Sequence, residues 1–156
     1  MKTFFSLILQ SLLAYGQKVL GAQAEFGAQL ILPGFRSNSS YVGAGSLRYV
    51  FVAATGAYRA NRVVSVPTSS NILGVMQNDP GIDEAMTIAY AGPSKVVAGG
   101  AIGANAIITT QSGGRAAVVT SGDMACGRAL EASGATGDVI SVVLFHPVRW
   151  SGASSE

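Results

Sequence analysis

Between residues 47 and 145 no window of twelve carries an apolar stripe of helical period without a Gly or Pro interrupting it. What remains is a succession of short apolar pieces at 47–53, 62–66, 72–76, 85–91, 95–97, 105–110, 115–120, 124–130 and 138–145. Turn signals separate them at short intervals, the pattern of an all-β sandwich or barrel. The expected fold class is therefore mainly β: a small Gly-rich β-barrel or β-sandwich, preceded by an N-terminal helical arm and an extended connector.

Composition supports a packed chain. Charged residues make up 12% of the 156 positions and Gly numbers 20, whereas chains that stay unfolded are charge-rich and poor in β-branched residues. The length suits one domain with an arm. The expected divisions are a helical arm at 1–26, an extended Gly/Ser-rich connector at 27–48, a β domain at 49–147 and a C-terminal tail at 148–156.

The β region carries a faint internal repeat. "GVMQNDPGIDEAMTIAYAGP" begins at Gly74 and "GRALEASGATGDVISVVLFHP" at Gly127, a shift of 53 residues that also brings Gly81 onto Gly134. In each copy a short strand leads to a Gly turn, an acidic residue, an alternating strand and then a proline, Pro93 or Pro147. Two hairpins of one kind could pair to close a small barrel and reduce exposed edges.

The first residues, "MKTFFSLILQSLLAYGQ", imitate a secretory leader, with Lys2 in front, an apolar run from Phe4 to Ala14 and small residues at Ala14 and Gly16. Read as a retained helix, the segment sets Phe5, Leu9, Leu12, Gly16 and Val19 on one face, with Gly21 as its stop. Ser6, Gln10 and Ser11 interrupt the run, which is shorter than the roughly 20 residues that span a bilayer. Two retained arrangements stay open, a helix packed on its own domain and an arm laid on a neighbouring subunit. In the second, Phe4, Phe5, Ile8, Leu9, Leu12 and Tyr15 form the partner interface.

The chain offers little reactive chemistry. Cys126 is the sole cysteine, so neither an intrachain disulfide nor a cysteine-based zinc site can form, and it reads as a small buried hydrophobe. His146 is the sole histidine and reads as a surface or capping residue at the end of the last strand. No G-x-S-x-G elbow occurs. "AGGAIGAN" at 98–105 lacks the first glycine of a dinucleotide fingerprint and leads into a strand. Asp79, Asp83 and Glu84 lack the alternating order of a calcium loop and read as a solvated turn led by Pro80-Gly81. No catalytic residue, metal or cofactor is expected. Ten scattered Lys and Arg residues and a formal charge of +2 weigh against nucleic-acid binding.

Residues 96–144, "VVAGGAIGANAIITTQSGGRAAVVTSGDMACGRALEASGATGDVISVVL", carry a family resemblance. Gly99-Gly100-Ala101-Ile102, Gly114-Arg115-Ala116, Gly127, Ala129-Leu130-Glu131 and Gly137-Asp138-Val139-Ile140 match pieces of a shared pattern, as does Gly74-Val75 before them. In these pieces, over about residues 58–146, the chain resembles the small capsid decoration, or cement, proteins of tailed bacteriophages. The segment before the β domain departs from that family, whose members often begin almost directly with strands.

The resemblance implies a non-enzymatic virion protein on the outer face of an icosahedral head. Its partner would be the major capsid protein, whose neighbouring subunits it would bridge, commonly as a homotrimer; neither nucleic acid nor membrane is implied. A secreted or surface β-domain with a cleaved leader is the rival reading, and an enzyme working through His146 and a distant carboxylate is a second.

Overall fold

A computed structural model describes residues 29–38, 48–56, 59–62 and 71–152. These residues form ten strands: β1 (Leu30–Leu32), β2 (Arg36–Ser37), β3 (Phe51–Gly56), β4 (Arg59–Arg62), β5 (Ile72–Met76), β6 (Ile88–Val97), β7 (Ile107–Thr110), β8 (Ala116–Val118), β9 (Met124–Ala129) and β10 (Val139–Arg149). The described residues contain no helix. The helical arm expected at 1–26 lies outside them, as do positions 63–66 of one expected strand. Two pieces of the expected connector belong to the sheet, β1 pairing β6 and β2 pairing β4.

The strands follow the order β2-β4-β3-β5-β6-β10-β9-β7-β8, with β1 pairing β6 off this path. The order is two copies of one plan. Strands β3 to β6 are arranged β4-β3-β5-β6, and β7 to β10 are arranged β8-β7-β9-β10, with the two last strands paired at the centre. A shift of 53 residues carries Ile72–Met76 onto 125–129, inside β9, and carries β6 nearly onto β10. The hairpin repeat in the sequence is thus the inner part of a four-stranded repeat, joined by β6–β10 pairing from Val139↔Val97 to Leu144↔Gly92.

Each copy curls on itself. Ala98, just past β6, bridges Ala116 of β8 in parallel, so β6, β10, β9, β7 and β8 form a nearly closed barrel. Arg36 of β2 makes an antiparallel bridge to Ala85, just before β6, so the first copy also curls, with β2 as the added strand that closes it. Closure of this kind removes long unpaired edges.

Two cores result. One contains Val96, Ile102, Ile108, Cys126, Ala129, Ile140, Val142 and Leu144, together with Phe51, Val75 and Ala89. The other gathers Val50, Val52, Met76, Met86 and Ile88 under Leu32 and Phe35. Successive residues of a strand face opposite ways, so Phe51 and Val52, Val75 and Met76, and Ile88 and Ala89 each divide between the two cores. Strands β3 and β5 and the start of β6 are walls with a core on both sides. This is why "ILGVM" is continuously apolar where a half-solvated strand would alternate.

Two strands run on where the sequence suggested a break. β6 passes through Gly92 and Pro93 because Val97 donates its N–H to Tyr49 O and not to β10. Pro93, four positions earlier, has its nitrogen on that same side, so the ladder to β10 loses no donor. β10 continues through Pro147 to Arg149, its register to β9 shifting between Leu144 and Val148, and an irregularity of that kind is where a sheet tolerates proline.

Candidate functional surface

Among the described residues, Cys126 and His146 are each engaged by local structure. Cys126 lies in the core at 2% exposure, its Sγ donating to Met124 O at 3.2 Å. Burial pushes its thiol pKa up to about 12, leaving it protonated and inert at neutral pH. His146 is exposed, with Nδ1 3.1 Å from Pro147 O. Among the described residues no cluster of three or more His, Cys, Asp or Glu side chains could hold a metal ion, and no helix is long and apolar enough to cross a membrane.

The acidic loop at 78–85 is tied down by its own carboxylate and amide groups. Glu84 Oε2 accepts from Gly81 N at 2.7 Å, while Asn78 accepts from Thr87 N at 2.8 Å and donates to Ala85 O at 2.9 Å. β2 straps the loop from outside: Ser37 N donates to Glu84 O, Ser37 Oγ to Gly81 O, and Arg36 to Asp83 O. These bonds turn the chain back into β6.

Two of the pieces that carried the family resemblance, Gly99-Gly100-Ala101-Ile102 and Gly137-Asp138, meet in one knot at an end of the second barrel. The loop at 98–102 and the loop at 131–138 are joined by Ile102 N to Ser133 O and Ser133 N to Ile102 O, by Ala98 N to Asp138 O and by Gly137 N to Ala98 O. Thr136 Oγ1 adds a bond to Gly99 O at 2.9 Å. Ser133 Oγ lies 3.0 Å from Gly100 O, 3.0 Å from Ala135 O and 3.2 Å from Asp138 Oδ2; its single proton serves one of these at a time.

Both acids of the motif work on backbone. Asp138 Oδ2 accepts from Ala135 N at 2.9 Å and Gly134 N at 3.0 Å, and these bonds hold its carboxyl below the usual value of 3.8. Glu131 Oε1 accepts from Ser141 N at 2.5 Å, which likewise lowers its pKa. The stretch 127–144 is therefore a strand, a carboxylate-clamped turn and a second strand, and its acids are fasteners of the turn.

Among the described residues, β6, β10 and β9 present a partly apolar sheet face outward. Val143 of β10 stands opposite Pro93 of β6 on one side and Arg128 of β9 on the other. In the next row outward, Ser141 stands opposite Lys95, and Leu130 N donates to Ser141 O. Alternation along β10 adds Val139 to the same face. Leu130, Val139 and Val143 are 51%, 48% and 39% exposed. The inner positions Ile140, Val142 and Leu144 fill the core.

The interface residues expected from the sequence, Phe4, Phe5, Ile8, Leu9, Leu12 and Tyr15, lie outside the described residues. The outward face of β6, β10 and β9 was not singled out in the sequence. Its signal was there in "VISVVLF": a strand with one solvated face should carry polar residues at alternate positions, and Val139 and Val143 are apolar.

No protein-family model matches this sequence, and no curated protein matches it. Among solved structures, the chain is similar to the crystal structure of the head fiber gp8.5 N base in bacteriophage phi29, with 17% sequence identity and a TM-score of 0.55. The likeness covers 76% of this chain and 97% of that one. At this identity it is a likeness of fold.

Proposed function

We propose that this chain is a structural protein of a bacteriophage head, a decoration protein that binds the outer surface of the assembled shell and bridges neighbouring major capsid subunits. The observation that carries the reading is the fold shared with nearly the whole of a phage head fiber base. Two of the resembling motif pieces support it, since Gly99–Ile102 and Gly137-Asp138 take part in the barrel-end knot.

A head filled with nucleic acid is pressed outward, and its weak places are the seams between subunits. A ligand that binds the assembled lattice better than free subunits shifts the equilibrium toward the intact shell by mass action. Bridging needs rigid geometry with no reactive group, and a barrel with backbone-clamped turns supplies it.

The reading includes a homotrimer. Three footprints of about 1 mM each, about 4 kcal/mol apiece, sum to tight attachment when their spacing matches the lattice. The segment at 1–26 would lie on a neighbouring subunit through Phe4, Phe5, Ile8, Leu9, Leu12 and Tyr15.

The test is sedimentation of the purified protein with expanded and unexpanded heads. Recovery with expanded heads at a fixed ratio to the major subunit is expected, and its absence from them would refute the reading. Removal of residues 1–20 should leave a soluble β domain that no longer stays on the heads; undiminished occupancy would remove the arm from the account.

A further inference from the structure

Each barrel is completed by a strand from outside its own four. In the second barrel that strand is the end of β6, which pairs β10 and then bridges β8 in parallel, Ala98↔Ala116. In the first barrel it is the segment 29–38, whose β1 pairs the start of β6 and whose β2 pairs β4 in parallel, Ser37↔Ala60. The bonds that seat the two strands correspond. Ser37 N donates to Glu84 O and Asp83 N to Ser37 O; Ala98 N donates to Asp138 O and Gly137 N to Ala98 O. Glu84 and Asp138 lie 54 positions apart, as do Asp83 and Gly137, and the latter two both have positive φ, 61° and 98°. Phe35 packs on the first core where Val96 enters the second, and Ser37 and Ala98 are the small buried residues two positions on.

The segment 29–38 thus fills a strand-shaped groove. Leu32 and Phe35 lie over Val50, Val52, Met76, Met86 and Ile88. Ser37 stands opposite Ala60 at 2% exposure, so the groove suits an extended peptide with a large apolar residue followed two positions later by a small one.

In the second barrel the completing strand belongs to another unit. In the first, the same contacts form whichever copy of the chain supplies the segment, and exchange of an identical element is a low-cost route to an oligomer. Nine residues, 39–47, join the segment to its own barrel. Nine residues reach up to about 30 Å, more than the width of about 25 Å of a packed unit of about 50 residues. On the other side only positions 27 and 28 separate it from 1–26, a reach of about 7 Å. With 1–26 lying on a neighbouring subunit, the passage from copy to copy falls in 39–47, and 29–38 goes with the neighbour.

We propose that the groove of the first barrel between β4 and the start of β6 is a strand-acceptor site, and that its occupant in the homotrimer is residues 29–38 of a second copy. The exchange rests on the homotrimer and the neighbour-bound 1–26 of the reading above; the groove rests on the matched pairing of the two barrels. Each copy's first core is then closed by the next copy, and separating copies uncovers the residues beneath Leu32 and Phe35. A bridge in a shell pressed outward gains by that resistance.

The test uses the full chain carrying Leu30→Cys with Ala91→Cys, which are register partners. A second pair, Gln29→Cys with Pro93→Cys, stands at the bond from Gln29 Nε2 to Pro93 O and serves if the first variant does not melt as the wild type does. Cys126 is buried and does not compete. Protein recovered with expanded heads is treated with a short bis-maleimide and run on a denaturing gel. Covalent trimers in more than half of the chains are expected. Links confined to single chains overturn the exchange and leave the head reading standing. If the wild type does not occupy heads, the head reading falls, and the same cross-linking of concentrated free protein decides the exchange: trimers uphold it and single-chain links overturn it.

Discussion

Gly127 of β9 passes so close to β10 that a Cβ at that position would lie 2.7 Å from the carbonyl oxygen of Val143. The repeat has the same device in its first copy, where a Cβ on Gly74 would lie 2.1 Å from Ala89 O and φ is +152°. In both cases the obstacle is backbone of the neighbouring strand, which cannot swing aside as a side chain can.

Replacing either glycine by alanine should therefore cost about 1–3 kcal/mol, with Gly74→Ala the worse because its backbone conformation is also strained for any other residue. Gly134→Ala, where a Cβ meets nothing within 4 Å, is the control and should leave the urea midpoint nearly unchanged. Equal midpoints for Gly74→Ala and Gly134→Ala would contradict the close strand approach.

Asp138 fastens the turn only while ionised. Hydrogen bonds from Ala135 N and Gly134 N lower its folded-state pKa below 3.8, so the contribution is complete above the ordinary carboxylate range and is lost as pH falls through the lowered value. Asp138→Asn should be less stable than wild type at neutral pH, and the two urea midpoints should converge in acid. A difference that stays constant with pH would show that charge on this carboxyl is not what holds the loop.

Thr109 is 2% exposed and its Oγ1 has no hydrogen-bond partner. A buried hydroxyl of this kind gives up hydration for nothing in return, and a methyl group of the same shape does not. Thr109→Val should raise stability by about 1 kcal/mol in denaturant unfolding. A loss of stability would mean that the hydroxyl has a partner in solution.

The Cys126 thiol should be silent toward a thiol-specific reagent in the native protein at neutral pH, with its pKa pushed up to about 12 and 2% of its surface exposed. Labelling should become rapid when urea unfolds the chain. Rapid labelling of native protein would place this part of β9 outside the core.

How much of this was legible beforehand follows from the range of the forces involved. Strand pieces such as 72–76 and 124–130 could be read because Gly and Pro act on their own backbone, and the hairpin repeat could be read because each hairpin joins neighbours in the chain. The resembling motif showed in the sequence, but its purpose did not: Thr136 meets Gly99 across 37 positions, and Ser133 meets Gly100 across 33. The unbroken runs in β5 and β10 were ambiguous for the same reason, since a strand between two cores and a strand with an exposed apolar face spell alike.

By itself, then, the sequence determined a mainly β chain of short, glycine-punctuated strands with a 53-residue repeat and without a constellation of reactive groups. Only the tertiary structure decided that the last strands of the two copies pair, that one copy's outer face becomes the wall between two cores, and that the other's is left to solvent. Val75 and Arg128 occupy corresponding positions; which is covered depends on where the second copy packs. Local backbone preference and period-two patterning set the elements, whereas burial is a property of the surfaces that meet, and those surfaces come from residues distant in the chain.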